Sequence, residues 1–197
     1  MTTVIDTLIY DRTQEDVDRV KELKSRILLN GWNTLTSAEK SEYLAGMKGA
    51  YNASDLNRVG QAINYVAQEE TSMATALTAY CVAKGVAPDS QFDLPFDASQ
   101  ISVNPKTDWA VTDVPNETQA NDLLSDLGEV RQSLTLPADV PPTPTTLNGL
   151  DYITANAIEY ILFAIDQTLD GIDEEIKGKI DRSADAWIYS SEMNCGG

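Results

Sequence analysis

The sequence predicts a mainly α fold: a helical bundle of about five helices, with extended N- and C-terminal arms and a long irregular central connection containing prolines. Three observations predict it. Apolar residues recur at helical spacing, as in Leu56, Val59, Ile63 and Val66 and again from Ile158 to Ile180. Side chains able to cap a helix start stand ahead of such runs, at Thr13, Thr36, Asn52 or Asp55, and Asn116. Pro88, Pro95, Pro105 and Pro115 punctuate a stretch with no helical period.

Residues 1–10 alternate weakly and are rich in Thr, Val, Ile and Tyr, which predicts an extended arm or strand. The first helix starts from Thr13, with Asp16 three residues on, and runs on Val17, Val20, Leu23, Ile27 and Leu28 until Asn30 and Gly31 stop it. A shorter second helix starts from Thr36, paired with Glu39 in a capping box, and ends near Gly46. The third opens at Asp55 and continues through Leu56, Val59, Ile63, Val66, Met73, Leu77, Tyr80 and Cys81 to Gly85. Unbroken, it would be about 45 Å long at 1.5 Å per residue, and Glu69 to Ser72 is the place for a bend.

The stretch 86–115 holds Phe92, Phe96 and Trp109 but no period, so it is either functional or wrapped over the bundle surface. A fourth helix follows from Asn116, capped with Gln119, and faces inward through Leu123, Leu124, Leu127, Val130 and Leu134. A proline-rich spacer separates it from a last helix that begins near Asn148 or Asp151. The chain thus divides into an arm over 1–12, an N-terminal helical unit over 13–85 and an irregular connection over 86–115. A C-terminal helical unit over 116–182, with its proline-rich linker at 137–147, and an extended tail over 183–197 complete it. Ala62-Ile63-x-Tyr65 is echoed by Ala157-Ile158-x-Tyr160, and each follows a tryptophan, a capped helix and a loop, as a duplicated two-helix unit would produce.

The last helix has the sharpest pattern. Ile158, Ile161, Ile165, Leu169, Ile172, Ile176 and Ile180 are spaced 3, 4, 4, 3, 4, 4. That is two eleven-residue periods, which give a nearly straight apolar seam. From Ile153 to Ile165 the helix is apolar almost all round, as in a buried bundle segment. From Leu169 to Ile180 the seam narrows to a stripe flanked by Asp170, Asp173, Glu174, Glu175, Lys177 and Lys179. Such a stripe needs one partner surface: a copy of the chain or another protein, or another helix of the same chain.

Chemistry is bounded by what composition omits. With no histidine among 197 residues, the commonest general base and metal ligand is missing. With 31 acidic residues some carboxylate pair lies at any chosen separation, so pairing in sequence points to no site. Asp166 to Gly171 imitates the start of a calcium loop, but position 12 is Lys177 where the closing Glu belongs, and the seam runs through it. Gly46 to Gly49 lacks the ending of a phosphate loop. No enzyme activity, cofactor or metal is expected.

Lys and Arg number 14, so the formal charge is −17, which repels nucleic acid and anionic lipid. No apolar run approaches the roughly 18 residues of a membrane span and no export signal is visible, so a soluble protein is expected. Cys81 and Cys195 form no disulfide framework; Cys81 reads as core and Cys195 as an exposed thiol. The sequons at Asn52 and Asn116 read as helix caps.

Three segments carry a resemblance: DRTQEDVDRVKEL with the following Trp32, then GMKGAYNASDLNRVGQAINYVA, then DYITANAIEYIL with the tail from Trp187 to Glu192. Together they resemble a family of tail-associated virion proteins from phages and prophages of Gram-positive bacteria. The resemblance implies a structural component of a tail, baseplate or fibre, located in the virion, and no catalytic residue comes with it. The tail ending in MNCGG departs from the pattern. On this reading the partners are copies of the chain and other tail, baseplate or fibre proteins. The expected interface residues are Leu169, Ile172, Ile176 and Ile180 in the seam, Trp187 and Tyr189 in the tail, and Ile5 and Leu8 in the arm. The competing class is a soluble acidic binding module, an inhibitor or DNA mimic, although here carboxylates interleave with Lys and Arg.

Overall fold

The computed structural model describes residues 2–85 and 101–194, the last twelve of these as helical backbone alone. Among them are five α-helices and no strand: α1 (Gln14–Asn30), α2 (Ser37–Leu44), α3 (Ala53–Ala83), α4 (Glu117–Gln132) and α5 (Tyr152–Asn194). The protein is a mainly helical bundle, as the periodicity predicts. Four helix starts are full capping boxes: Thr13 with Asp16, Thr36 with Glu39, Asn52 with Asp55, and Asn116 with Gln119. In each, the cap and the third helical residue satisfy each other's backbone N–H groups. Both sequon asparagines are therefore caps. α3 starts at Ala53, two residues before the expected Asp55, because Asn52 is the cap and Asp55 its reciprocal partner.

α3, α4 and α5 run in the same direction. Arg58 meets Glu159 and Tyr80 meets Asp181, so α3 and α5 keep one offset of 101 residues over their contact. That constancy is what two matching eleven-residue repeats produce. Ser133, just beyond α4, reaches Glu70 of α3. Parallel neighbours cannot be joined by tight turns, so the chain must return along the bundle before each new helix. This explains the long proline-containing connections.

The described part of the first return runs back along α3. Ser102 N–H donates to Glu129 at 3.1 Å, the Lys106 carbonyl lies against Gly60, and Trp109 exchanges two hydrogen bonds with the Asn57 side chain at 2.7 and 3.0 Å. Its polar backbone is met by side chains, so no strand forms. Residues 86–100, with Phe92 and Phe96, lie outside the described residues. The second return packs Val140 and Leu147 into the core and is held by Arg131, which donates to the carbonyls of Pro141 and Val140.

The main core is built from Val59, Ile63 and Val66 of α3, Leu123, Leu127 and Val130 of α4, and Ile158, Ile161, Leu162 and Ile165 of α5. A smaller core under α1 and α2 gathers Val20, Leu23, Leu35 and Met47. Leu28, expected to face inward, is 85 % exposed, because α1 covers only this small unit and its far side has no partner among the described residues. The N-terminal arm makes one 3-10 turn at Ile5–Thr7 and is otherwise irregular, not a strand.

Two expectations for α5 need correction. Ile153 is 61 % exposed, and Tyr160 and Phe163 are only partly buried, ringed with Tyr10 at centroid distances of 5.7 and 5.0 Å. This half is therefore apolar on an outer face also. The expected extended tail is helical to Asn194. A backbone already in helix continues at the cost of one residue per added hydrogen bond, and no Pro or Gly interrupts 183–194.

Candidate functional site

The chain's charged interior lies where the arm, α3 and α5 meet. Arg12 sits two residues before α1; Asp55 and Arg58 are on the first turns of α3; Glu159 is on the second turn of α5. Arg12 Nη2 donates to Asp55 Oδ1 at 2.9 Å and to Glu159 Oε1 at 2.7 Å. Arg58 donates to Glu159 through Nε and Nη2, each at 3.0 Å, and to Asp55. Arg12, Asp55 and Glu159 are all less than 5 % exposed.

Two positive and two negative side chains balance to zero, which is the condition for burying charge at all. The other Arg12 donors are also matched, while the buried Tyr51 hydroxyl beside them has no hydrogen-bond partner among the described residues. Arg12 Nε donates to the Lys48 carbonyl and Nη1 to the Ile9 carbonyl, while Ile9 N–H donates to Glu159 Oε2 at 2.6 Å. Asn156 clamps the arm from α5, accepting from Arg12 N–H at 3.0 Å and donating to its carbonyl at 2.9 Å. The Arg12 guanidinium lies over the Tyr51 ring, 5.4 Å from its centre. Burial, then the charges of Glu159 and Asp55, push the Tyr51 hydroxyl well above its usual range. Burial works against the charge on Arg58, but the hydrogen bonds and charges of Glu159 and Asp55 outweigh it and raise its pKa.

This arrangement joins segments; it does not present a reactive group. Both carboxylates are engaged by arginines and closed to solvent, so neither can take a proton from a bound substrate. Gly49 brings the α2–α3 loop against the start of α1, where an added Cβ would lie 2.1 Å from the Asp16 carbonyl oxygen. Gly46 takes a φ of 87°, a conformation that favours glycine.

The same loop lines a cleft of about 1190 Å³ between the α1–α2 unit and the three parallel helices. Met47, Tyr51 and Leu147 are among the residues of its wall, with Lys24 and Glu117. Leu44 and Val111 also line it and are 76 % and 95 % exposed. No group of His, Cys, Asp and Glu among the described residues could hold a metal ion.

The expected interface residues are placed as follows. Leu169 is buried in the main core, and Ile176 and Ile180 are buried against Leu77 and Cys81 of α3, with Ile172 packed beside them. The seam therefore faces its own chain, because α3 carries a matching stripe in the same eleven-residue repeat. Ile5 is buried in the main core and Leu8 packs on it, so the arm is also folded onto its own protein. The side chains of Trp187 and Tyr189, and Cys195, lie outside the described residues.

Sequence reasoning missed Arg12, Asp55, Arg58, Asn156 and Glu159 as a set. One signal was present: Glu159 follows Ile158 within an otherwise apolar arc. Among the described residues no helix is long and apolar enough to cross a membrane. Comparison with protein-family models, curated proteins and solved structures gave no match.

Proposed function

We propose that the chain is a non-enzymatic structural component of a phage tail or phage-like particle, an adaptor in the tail, baseplate or fibre attachment. One observation carries the reading. The three segments that resemble tail-associated proteins supply Arg12, then Asp55 and Arg58, then Asn156 and Glu159, and these meet in a single buried joint. Residues that define the resemblance thus build architecture, which supports a part whose task is to hold shape.

Contacts with neighbours fall outside the seam. α5 is helical to Asn194, whereas α3, which covers the seam, ends at Ala83. Leu28, Leu29, Leu44 and Val111 keep apolar side chains in water, a liability that a neighbouring subunit would remove.

Peptide mass spectrometry on purified particles tests the proposal: this chain should be found in many copies, and its absence removes the virion reading. A second reading, an acidic module that sequesters a basic protein, has one supporting feature. Burial and then the charge of Asp170, followed by Glu69 and Asp6, raise the Asp166 pKa, so carboxylates gather there. Salt-sensitive capture of a basic protein that is lost in Asp166→Asn would favour it.

A further inference from the structure

Glu70 stands at a core position of α3. Val59, Ile63, Val66, Glu70, Leu77 and Cys81 follow the same repeat as the seam of α5, and every one is buried. Glu70 is 0 % exposed, and its Oε1 has no hydrogen-bond partner among the described residues. Its Oε2 lies 2.5 Å from Ser133 Oγ, immediately after α4.

The serine settles the proton count. Ser133 Oγ is also 2.8 Å from the Val130 carbonyl, the usual acceptor for a serine three residues on in a helix. A hydroxyl has one proton. If Ser133 gives it to Val130, the contact with Glu70 must be made by a proton on the carboxyl. If Ser133 gives it to Glu70, an ionised carboxylate is left sealed in the core with a single hydrogen bond, a costly state.

Charged groups on the elements packed around Glu70 are engaged elsewhere. Glu129 accepts from Ser102, Arg131 donates to Val140 and Pro141, and Asp126 accepts from Asn104. Glu69, Asp166 and Asp170 raise the Tyr65 pKa, and no charged group contributes to the shift of Glu70. Burial dominates over the opposing hydrogen bond of Ser133, and it pushes the Glu70 carboxyl up to about 7.

We propose that Glu70 is a proton-operated joint: its neutral carboxyl fastens α4 to α3, and loss of the proton releases the C-terminal end of α4. Raising pH is thus a signal that loosens one helix of the bundle without disturbing the arm joint. In the released state the carboxyl is hydrated and returns to its ordinary 4.5, so opening expels one proton between about 4.5 and 7. Within that window the opening constant rises about tenfold per pH unit, and above it the rise stops.

Two measurements test this on the full chain. Carbon NMR of the Glu70 carboxyl, assigned through bonds, should titrate near pH 7; a midpoint near 4.5 overturns the proposal. Amide hydrogen exchange is then compared between wild type and Glu70→Gln at each pH, which cancels the intrinsic base dependence. The ratio at Val130, Arg131 and Leu134 should climb about tenfold per pH unit up to neutrality while Val20 and Leu23 stay level. A flat ratio, or an equal climb in α1, overturns the joint.

Discussion

Arg12 and Glu159 are 147 residues apart in sequence and 2.7 Å apart in the protein, with both side chains closed to water. Arg12 carries the N-terminal arm, Asp55 and Arg58 the start of α3, and Glu159 the start of α5, so one neutral group of four charges sets the relative position of three distant segments. Its partners cannot be removed singly without leaving a buried charge exposed to a low dielectric. Removing either Arg12 or Glu159 should cost about 3 to 5 kcal/mol.

The glycine of the α2–α3 loop is the steric half of the same joint. Gly49→Ala places a methyl group 2.1 Å from the Asp16 carbonyl, backbone that has little room to yield. It should destabilise by about 1 to 3 kcal/mol or more in urea unfolding. Gly171→Ala is the contrast, since it lies in the interior of α5 with nothing within 4 Å of an added Cβ. It should stabilise by about 0.5 to 1 kcal/mol. A loss at Gly171 would show that this turn of α5 is not an ordinary helix.

The covered seam makes a prediction opposite to that of a free interface. Ile176→Ala should cost about 2 to 5 kcal/mol, and Ile176→Asp more, because Leu77, Cys81 and Ile180 surround the side chain. Circular dichroism through a urea titration should show an early transition for both. A wild-type midpoint in Ile176→Asp would return the seam to solvent.

Glu39 gives an acid limit for α2. Hydrogen bonds from Arg26, then the backbone N–H of Thr36, hold its carboxyl down at about 2 against an ordinary 4.5. A depressed carboxyl contributes stability above 4.5 and loses it as pH falls from 4.5 toward 2. The amides of α2 should therefore exchange faster, relative to Glu39→Gln, as pH drops through that window. No difference in pH dependence between the two proteins would remove the Glu39 carboxylate as its source.

What could be read in the sequence was local. A capping box spans four residues, so Thr13, Thr36 and Asn116 announced their helices without knowledge of the fold. The repeat from Ile158 to Ile180 likewise announced a straight seam. Whether a neighbour covers that seam depends on α3: Leu77 and Cys81 are legible in its helical run, but periodicity within one helix does not say which other helix it faces. The ion group was hidden because it is not local: Arg12 and Arg58 look like surface charges, and Asp55 like a helix cap alone, until the fold brings Glu159 to them. Leu28 erred the other way, since helical spacing cannot say that α1 would cover only a small unit.

The account rests most on Arg12 and Glu159 acting as one joint, and a double-mutant cycle measures this directly. Urea unfolding of wild type, Arg12→Met, Glu159→Gln and the double variant yields their coupling energy. The account predicts about 2 kcal/mol or more, with the double variant far less damaged than the sum of the two. Additive losses would mean that the two residues are neighbours without being partners.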